Sequence, residues 1–387
     1  MENTPFIPAP SKRHVIGLRC APIPKVRIGL VGLGQRGMRT LDRYAFIRGA
    51  ALCFIPGILA GRLLAGTVPT LSSPAAALPA FAGLALRRKK ELALGLMLFS
   101  AGLFSAIRGN ICCPAPTPAF ARECCSRLCA CIDSIPFGDC RSGALVKAML
   151  TGDRSSLDSE TLGIFRKSGA SHLLALSGLH LGMIYMLLSK LLLPLGMSPA
   201  SRVARSLTAV AASAFYVLVT GASPSLVRAF LFILIREASA ILHRPQPPLH
   251  CLCTALLLQC VMNPAAPGDA GFRLSYLAVA GICLIHPGLS ALYPSGKGPL
   301  KKMWDLASLS ISCQCFTALE AWRLFRSFPA YFLITNLMAL PIMTLLMPAA
   351  IATTAFAATG HCPSILVSCC EACCRMLLTV LEVVSAL

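Results

Sequence analysis

Charge is what this sequence has least of. Only 13% of its 387 residues are Asp, Glu, Lys or Arg, about half the share usual in a soluble domain. With 56% hydrophobic residues, a water-soluble fold could not cover the apolar surface. Intrinsic disorder is excluded on the same ground. Acidic residues are scarcest, 15 against 35 Lys+Arg, for a net charge of +20, so partners or membrane topology must ask for positive charge. No P-loop occurs, which excludes nucleotide hydrolysis by that route. The seven histidines form neither HExxH nor a clustered HxH, and no catalytic constellation appears. No apolar h-region follows the start, so a signal peptide is not expected. No internal repeat is visible.

Apolar runs, in contrast, are abundant. A span needs about 20 apolar residues. Candidate spans lie at 49–66, 69–86, 92–108, 172–195, 206–222, 224–242, 249–262, 271–287, 303–320, 328–350 and 362–387. Several are marginal, and 249–262 reads as re-entrant. The expected fold class is therefore all-α, a polytopic integral membrane protein with roughly eight to eleven transmembrane or re-entrant helices.

Residues 1–48 form a basic leader, with nine Lys/Arg against Glu2 and Asp42, which predicts a cytoplasmic N-terminus. N-terminal transmembrane helices occupy 49–108. The cluster Arg87-Arg88-Lys89-Lys90 marks a cytoplasmic loop, which puts the short Cys-rich segment 109–143 outside. Its cysteines (Cys112, Cys113, Cys124, Cys125, Cys129, Cys131, Cys140) could pair in an oxidising compartment. Their spacing matches no zinc pattern, and no metal site is expected. The other cysteines among the 20, Cys53, Cys251, Cys260 and Cys283 for instance, read as apolar residues. Within the remaining block, 144–387, Ser156 or Asp158 can cap a helix over 159–168 with Glu160 in its first turn.

Three segments carry unusual chemistry. Ser177, Gly178 and His180 interrupt the start of an apolar run. A Ser-Gly pair there breaks helices, and freed backbone is tolerated at membrane depth only beside protein or a wet cavity. One reading is a discontinuous helix along an aqueous path. The other is a small-residue packing contact with His180 hydrogen-bonded across it. The residues do not separate the two. Gly221 ends the next span. Ser223 and Pro224 then form an N-cap and first helical residue, with Arg228 one turn inside. A helix N-terminus plus an Arg makes an anion site; the bland alternative is snorkelling, better suited to Arg236, eight residues on and on broadly the same face. Asp269 and Arg273, four apart, read as an ion pair at a span's mouth, and Glu320 with Arg323 as another. Asn336 and Pro341 mark a kinked or broken span.

Two resemblances follow. Val26-Arg27-Ile28-Gly29-Leu30-Val31 before Gly32-Leu33-Gly34-Gln35-Arg36-Gly37 resembles the opening of the Gfo/Idh/MocA oxidoreductases, which use NAD(P). The acid expected about 20 residues on is missing between Asp42 and Glu91. A working cofactor site is not expected, and an NAD-dependent oxidoreductase is the least favoured function.

The second resemblance rests on several motifs in order: Thr151-Gly152-Asp153-Arg154-Ser155, Ser171 through Gly182, Gly221-Ala222-Ser223-Pro224-Ser225-Leu226-Val227-Arg228-Ala229, and Asn263-Pro264 with Asp269 through Val279. Ser327-Phe328-Pro329 and Asn336 through Pro341 continue it. Together they resemble the ComEC-type competence proteins. That family implies a non-enzymatic inner-membrane channel passing single-stranded DNA into the cytoplasm during natural transformation. A DNA-receptor protein and a cytoplasmic ATP-driven motor would be its partners, beside the lipid bilayer, and a homo-oligomer stays open. Ser177, Gly178, His180, Ser223, Arg228, Asp269 and Arg273 would line the path. Segment 109–143 is too short for the OB-like domain of many relatives, and the HxHxDH-type motif of their metallo-β-lactamase-like domain is absent, so no nuclease activity is expected. The alternative is a small-solute or lipid-intermediate transporter on the same fold.

Overall fold

The computed structural model describes residues 49–60, 96, 98–103, 118–196, 198–293, 298–326 and 331–387. The basic leader with its glycine run, span 69–86, the 87–90 cluster, Cys112, Cys113 and Phe328-Pro329 lie outside the described residues. The described chain is helical without strands, an all-α polytopic membrane fold. Among the described residues five helices are long and apolar enough to cross a membrane: Gly178–Leu195, Pro199–Val219, Ala270–Ala291, Phe332–Ala358 and Ser364–Ser385. Two shorter apolar helices, Gly49–Ala60 and Pro248–Met262, accompany them.

In chain order, α1 is Gly49–Ala60 and α2 covers 98–103. Helices α3 (Ala119–Asp133), α4 (Cys140–Thr151) and α5 (Ser159–Lys167) follow. Next come α6 (Ser171–Leu174), α7 (Gly178–Leu191), α8 (Pro199–Val219) and α9 (Pro224–Ile241). The remainder is α10 (Pro248–Met262), α11 (Ala270–Leu284), α12 (His286–Ala291), α13 (Pro299–Phe325), α14 (Phe332–Ala358) and α15 (Ser364–Ser385).

Local chemistry sets most of these boundaries. Pro occupies the first turn of α8, α9, α10 and α13, where its missing N–H costs nothing and its φ is already helical. Asp139 caps α4 through the Arg141 amide, and Ser198 caps α8 through that of Ser201. Helix α8 ends on Gly221 at φ 82°. The Ala222 amide returns to the Val217 carbonyl at 2.8 Å, a left-handed cap in which glycine meets no Cβ penalty.

The largest core is built by α3, α4 and α5 against α14 and α15, around Leu145, Met149, Phe165, Met343, Leu346, Met347 and Leu377. The Cys-rich stretch is thus partly a helix, α3, laid on the bundle; the Cys131 thiol donates to the Thr354 carbonyl. Cys124, Cys125, Cys129, Cys131 and Cys140 are free thiols here. Four of them lie on α3, where neighbours four apart stand about 5–6 Å from each other at Cβ, more than the roughly 3.8 Å of a disulfide.

Of the kinked or broken span expected near Asn336…Pro341, the break does not occur, because α14 runs through Pro341 and Pro348. A membrane helix keeps such prolines when its surroundings occupy the freed backbone groups. Span 206–222 begins earlier, at Pro199, and 303–320 extends to Pro299–Phe325.

Close helix contacts fall on small residues, as expected where lipid removes the hydrophobic drive and packing must hold helices together. A Cβ on Gly57 would overlap the Phe99 carbonyl, and one on Gly102 that of Phe54. Between α11 and α13, a Cβ on Gly281 would overlap the Ser312 carbonyl oxygen, where Ser308 and Ser312 are fully buried. Substituting Gly281→Leu should therefore destabilise the protein by about 1–3 kcal/mol, read as a lower thermal midpoint in detergent. Gly288→Ala, facing open space, is the control and should leave the midpoint within a degree or two.

Candidate functional site

The run expected as one span at 172–195 is split where Ser177-Gly178 stands. After α6 the chain turns extended, at ψ 131° for Ala175 and φ −123° with ψ 169° for Ser177, before α7 begins. Ser177 is the N-cap: its hydroxyl accepts from the Leu179 amide at 3.3 Å. His180, three residues on, reaches back, and its Nδ1 accepts from the Ser177 amide at 3.3 Å. Histidine here takes the place of the Glu or Gln of a capping box. With Nδ1 accepting, the proton belongs on Nε2, and that nitrogen is buried without a hydrogen-bond partner.

The preceding carbonyls are satisfied from a motif 20 residues upstream. Arg154 donates from Nη2 to the Leu174 carbonyl at 3.0 Å. Gly152, at φ 82°, brings its backbone so close that a Cβ would sit 2.7 Å from Leu176 Cδ1. The Tyr216 hydroxyl donates to the Leu150 carbonyl at 2.9 Å. The Ser155 amide donates to the Asp153 carboxylate at 2.9 Å, a bond that holds this carboxyl below its ordinary range. Two motifs far apart in function-neutral terms, Thr151–Ser155 and Ser171–Gly182, are therefore one structure.

Arg228 arrives at the same place from α9. It is 9% exposed and faces the bundle, not lipid. A Cβ on Gly178 would stand 3.0 Å from its Nη2 and 3.3 Å from the Ala229 Cβ, so the guanidinium lies closely along the start of α7. Its Nε donates to the Ser275 hydroxyl at 2.6 Å. The Phe232 and Tyr276 rings lie 5.9 Å from its carbon. Tyr276 in turn donates to Gln259 at 2.9 Å, and Gln259 Nε2 donates to the Pro224 carbonyl at 3.0 Å. Helices α7, α9, α10 and α11 thus meet around one cation that has no ion pair among the described residues.

The remaining candidates divide. Ser223 holds the N-cap position of α9 without a side-chain cap bond, and its hydroxyl is buried and unpartnered, one turn from Arg228. Asp269 does not pair with Arg273. Its carboxylate caps α11 by accepting from the Phe272 amide at 2.9 Å, a geometry that points it back over its own helix. Arg273 instead donates to Glu320 at 2.7 Å and to the Gly268 carbonyl at 3.1 Å. Glu320 also meets Arg323 at 3.6 Å. Nor does Arg236 share the face of Arg228. Eight residues advance a helix about 80° beyond two full turns, and Arg236 is exposed, 5.8 Å from the Tyr185 ring.

The sequence reading missed Ser275, Tyr276, Gln259 and Phe232 as partners of Arg228, and Arg154 as support for the break. Ser275 and Tyr276 stood inside a quoted motif. Gln259, a lone amide in the apolar helix α10, was the available signal. Among the described residues no group of three His, Cys, Asp or Glu could hold a metal.

The family model described as "Competence protein" matches residues 149–387. ComE operon protein 3 of Bacillus subtilis is 32% identical over 135 residues, 35% of this chain and 17% of that protein. Alpha-N-acetylgalactosaminidase and Glycosyl hydrolase family 109 protein 2, both of Bacteroides fragilis, are each 51% identical over 49 residues, 12% of either chain. The chain therefore spans less than a fifth of the length of these curated relatives. No solved structure matches it.

A hydrogen bond to a buried charge is worth about 1.5–3 kcal/mol. A double-mutant cycle with Arg228→Met and Ser275→Ala, followed by thermal or denaturant unfolding in detergent, should return a coupling in that range. Additive losses would show that the Arg228–Ser275 bond does not hold the two helices.

Proposed function

The chain belongs to the competence protein family, and from that membership we propose that it forms an inner-membrane channel admitting single-stranded DNA to the cytoplasm. The observation that carries this reading is the place of Arg228. A buried guanidinium is costly unless it is paired, and here its companions are a serine hydroxyl, two aromatic faces and a glycine backbone. None of them is an anion. A guanidinium is the side chain best matched to phosphate, through paired N–H donors, and phosphate is the repeating charge of a nucleic acid strand.

In this reading the described conformation is closed. Ser275, Phe232 and Tyr276 hold Arg228 in place of the ligand, and Gly178 lets it rest across the start of α7. An arriving phosphate offers two acceptors where Ser275 offers one, so it draws the guanidinium off α11 and loosens the seam between α7, α9 and α11. His180 Nε2–H and the Ser223 hydroxyl, both buried without partners, are the next donors along that seam. Binding along the strand is then electrostatic, indifferent to sequence and weakened by salt. Asp269 and Arg273 act at the neighbouring mouth as structural ions. With no P-loop in the sequence, movement depends on a separate ATP-driven motor and delivery on a DNA-receptor protein; both are expected partners.

The test is transformation by a strain carrying only the variant chain. Arg228→Ala should lower the frequency about tenfold or more, the loss of at least 1.4 kcal/mol, with normal abundance in the membrane. Arg228→Lys keeps the charge but not the paired donors and should fall between. Unchanged frequency in Arg228→Ala removes Arg228 from the path. Normal uptake of labelled DNA by a deletion strain would favour a small-solute or lipid-intermediate transporter.

A further inference from the structure

The far end of the same helices carries a second arrangement that DNA passage does not use. A cavity of about 350 Å³ opens among the end of α7, the start of α8 and the end of α9. Its polar wall includes Arg202, Arg205, His243 and Glu237; Leu193, Val203 and Ile241 give it an apolar side. Glu237 is the one acid there, and it is engaged: the Tyr185 and Ser206 hydroxyls both donate to it. The wall itself therefore carries two arginines against one carboxylate, and Arg236 lies beside it, 5.8 Å from the Tyr185 ring. His243 ends α9 at φ 51°, in the left-handed region where glycine is the ordinary choice. The turn is closed by the Arg244 amide on the Ser239 carbonyl at 2.9 Å.

We propose that this cavity binds the headgroup phosphate of an anionic phospholipid. The apolar residues on its side are exposed, Leu193 at 55% and Val203 at 39%, as acyl chains beside a seated headgroup would require. The volume suits a small polar ligand. Excess Lys/Arg at helix ends marks the cytoplasmic side, and that leaflet is the anionic one. A nucleic acid strand is the weaker occupant, because Glu237 lies nine residues beyond Arg228 on α9, about 13–14 Å along the axis, and the cavity borders the lipid-facing surface. The proposal does not depend on the channel reading.

The test titrates the full chain in detergent, by native mass spectrometry, with phosphatidylglycerol and with phosphatidylethanolamine of the same acyl chains. Phosphatidylglycerol should bind at least about fivefold more tightly, and Arg202→Gln should lower that affinity by a similar factor. Lys190→Gln, outside the cavity, should not. Equal binding of the two lipids, or an equal loss in Lys190→Gln, overturns the site. Saturation by glycerol 3-phosphate alone would make the ligand a soluble phosphate, and displacement by oligothymidylate would make it nucleic acid; either overturns the lipid assignment. Should Arg202→Gln fail to fold, the discrimination between the two lipids on the native chain decides alone.

Discussion

Interrupting a helix inside an apolar bundle strands backbone donors and acceptors that hydrocarbon cannot satisfy, and the packing about residues 174–180 is organised by that constraint. Ser177 and His180 close the amide side of the gap, and Arg154 closes the carbonyl side. Ser177 and His180 belong to the first turn of α7, whereas Arg154 comes from a segment 20 residues upstream. The left-handed turn at Gly152 brings the Arg154 loop against Leu176, and Tyr216 on α8 fixes the end of α4 from the opposite side.

The same interruption makes room for a charge. Gly178 is both the first residue of α7 and the surface on which the Arg228 guanidinium lies. A side chain at that position would crowd the guanidinium and the Ala229 methyl, which would have to give by a few tenths of an ångström. Helices α9, α10 and α11 are then joined through Ser275, Tyr276 and Gln259, so a polar thread crosses a region otherwise packed with Leu, Ile and Phe. Where lipid supplies no hydrophobic drive, such threads and glycine contacts of the Gly281–Ser312 kind do the joining.

Legibility varied with the range of the forces involved. The helix start at Ser223-Pro224 was legible in its own residues, because a proline at the first helical position needs no amide partner; the caps at Ser198 and Asp269 are just as local but were not read as such. At Ser177-Gly178 the residues left a break and a packing contact equally open. Prolines in α14 left a kink and a break open, since their effect depends on what surrounds the freed carbonyl. Asp269 and Arg273 have the spacing of a pair, yet Asp269 was already committed to its own helix start and Glu320, 47 residues away, took the arginine.

Composition and apolar run length by themselves determined that this chain is a helical membrane protein, because transfer into lipid is additive over residues and needs no partner. Ordered motifs determined its family. Tertiary structure alone decided that Arg154 belongs to the break and that Gly178 is a seat for Arg228. It alone sent Arg236 to the surface while Arg228 turned inward. Those outcomes depend on which helices come side by side, and a buried charge or an unsatisfied carbonyl acquires its partner only once they do.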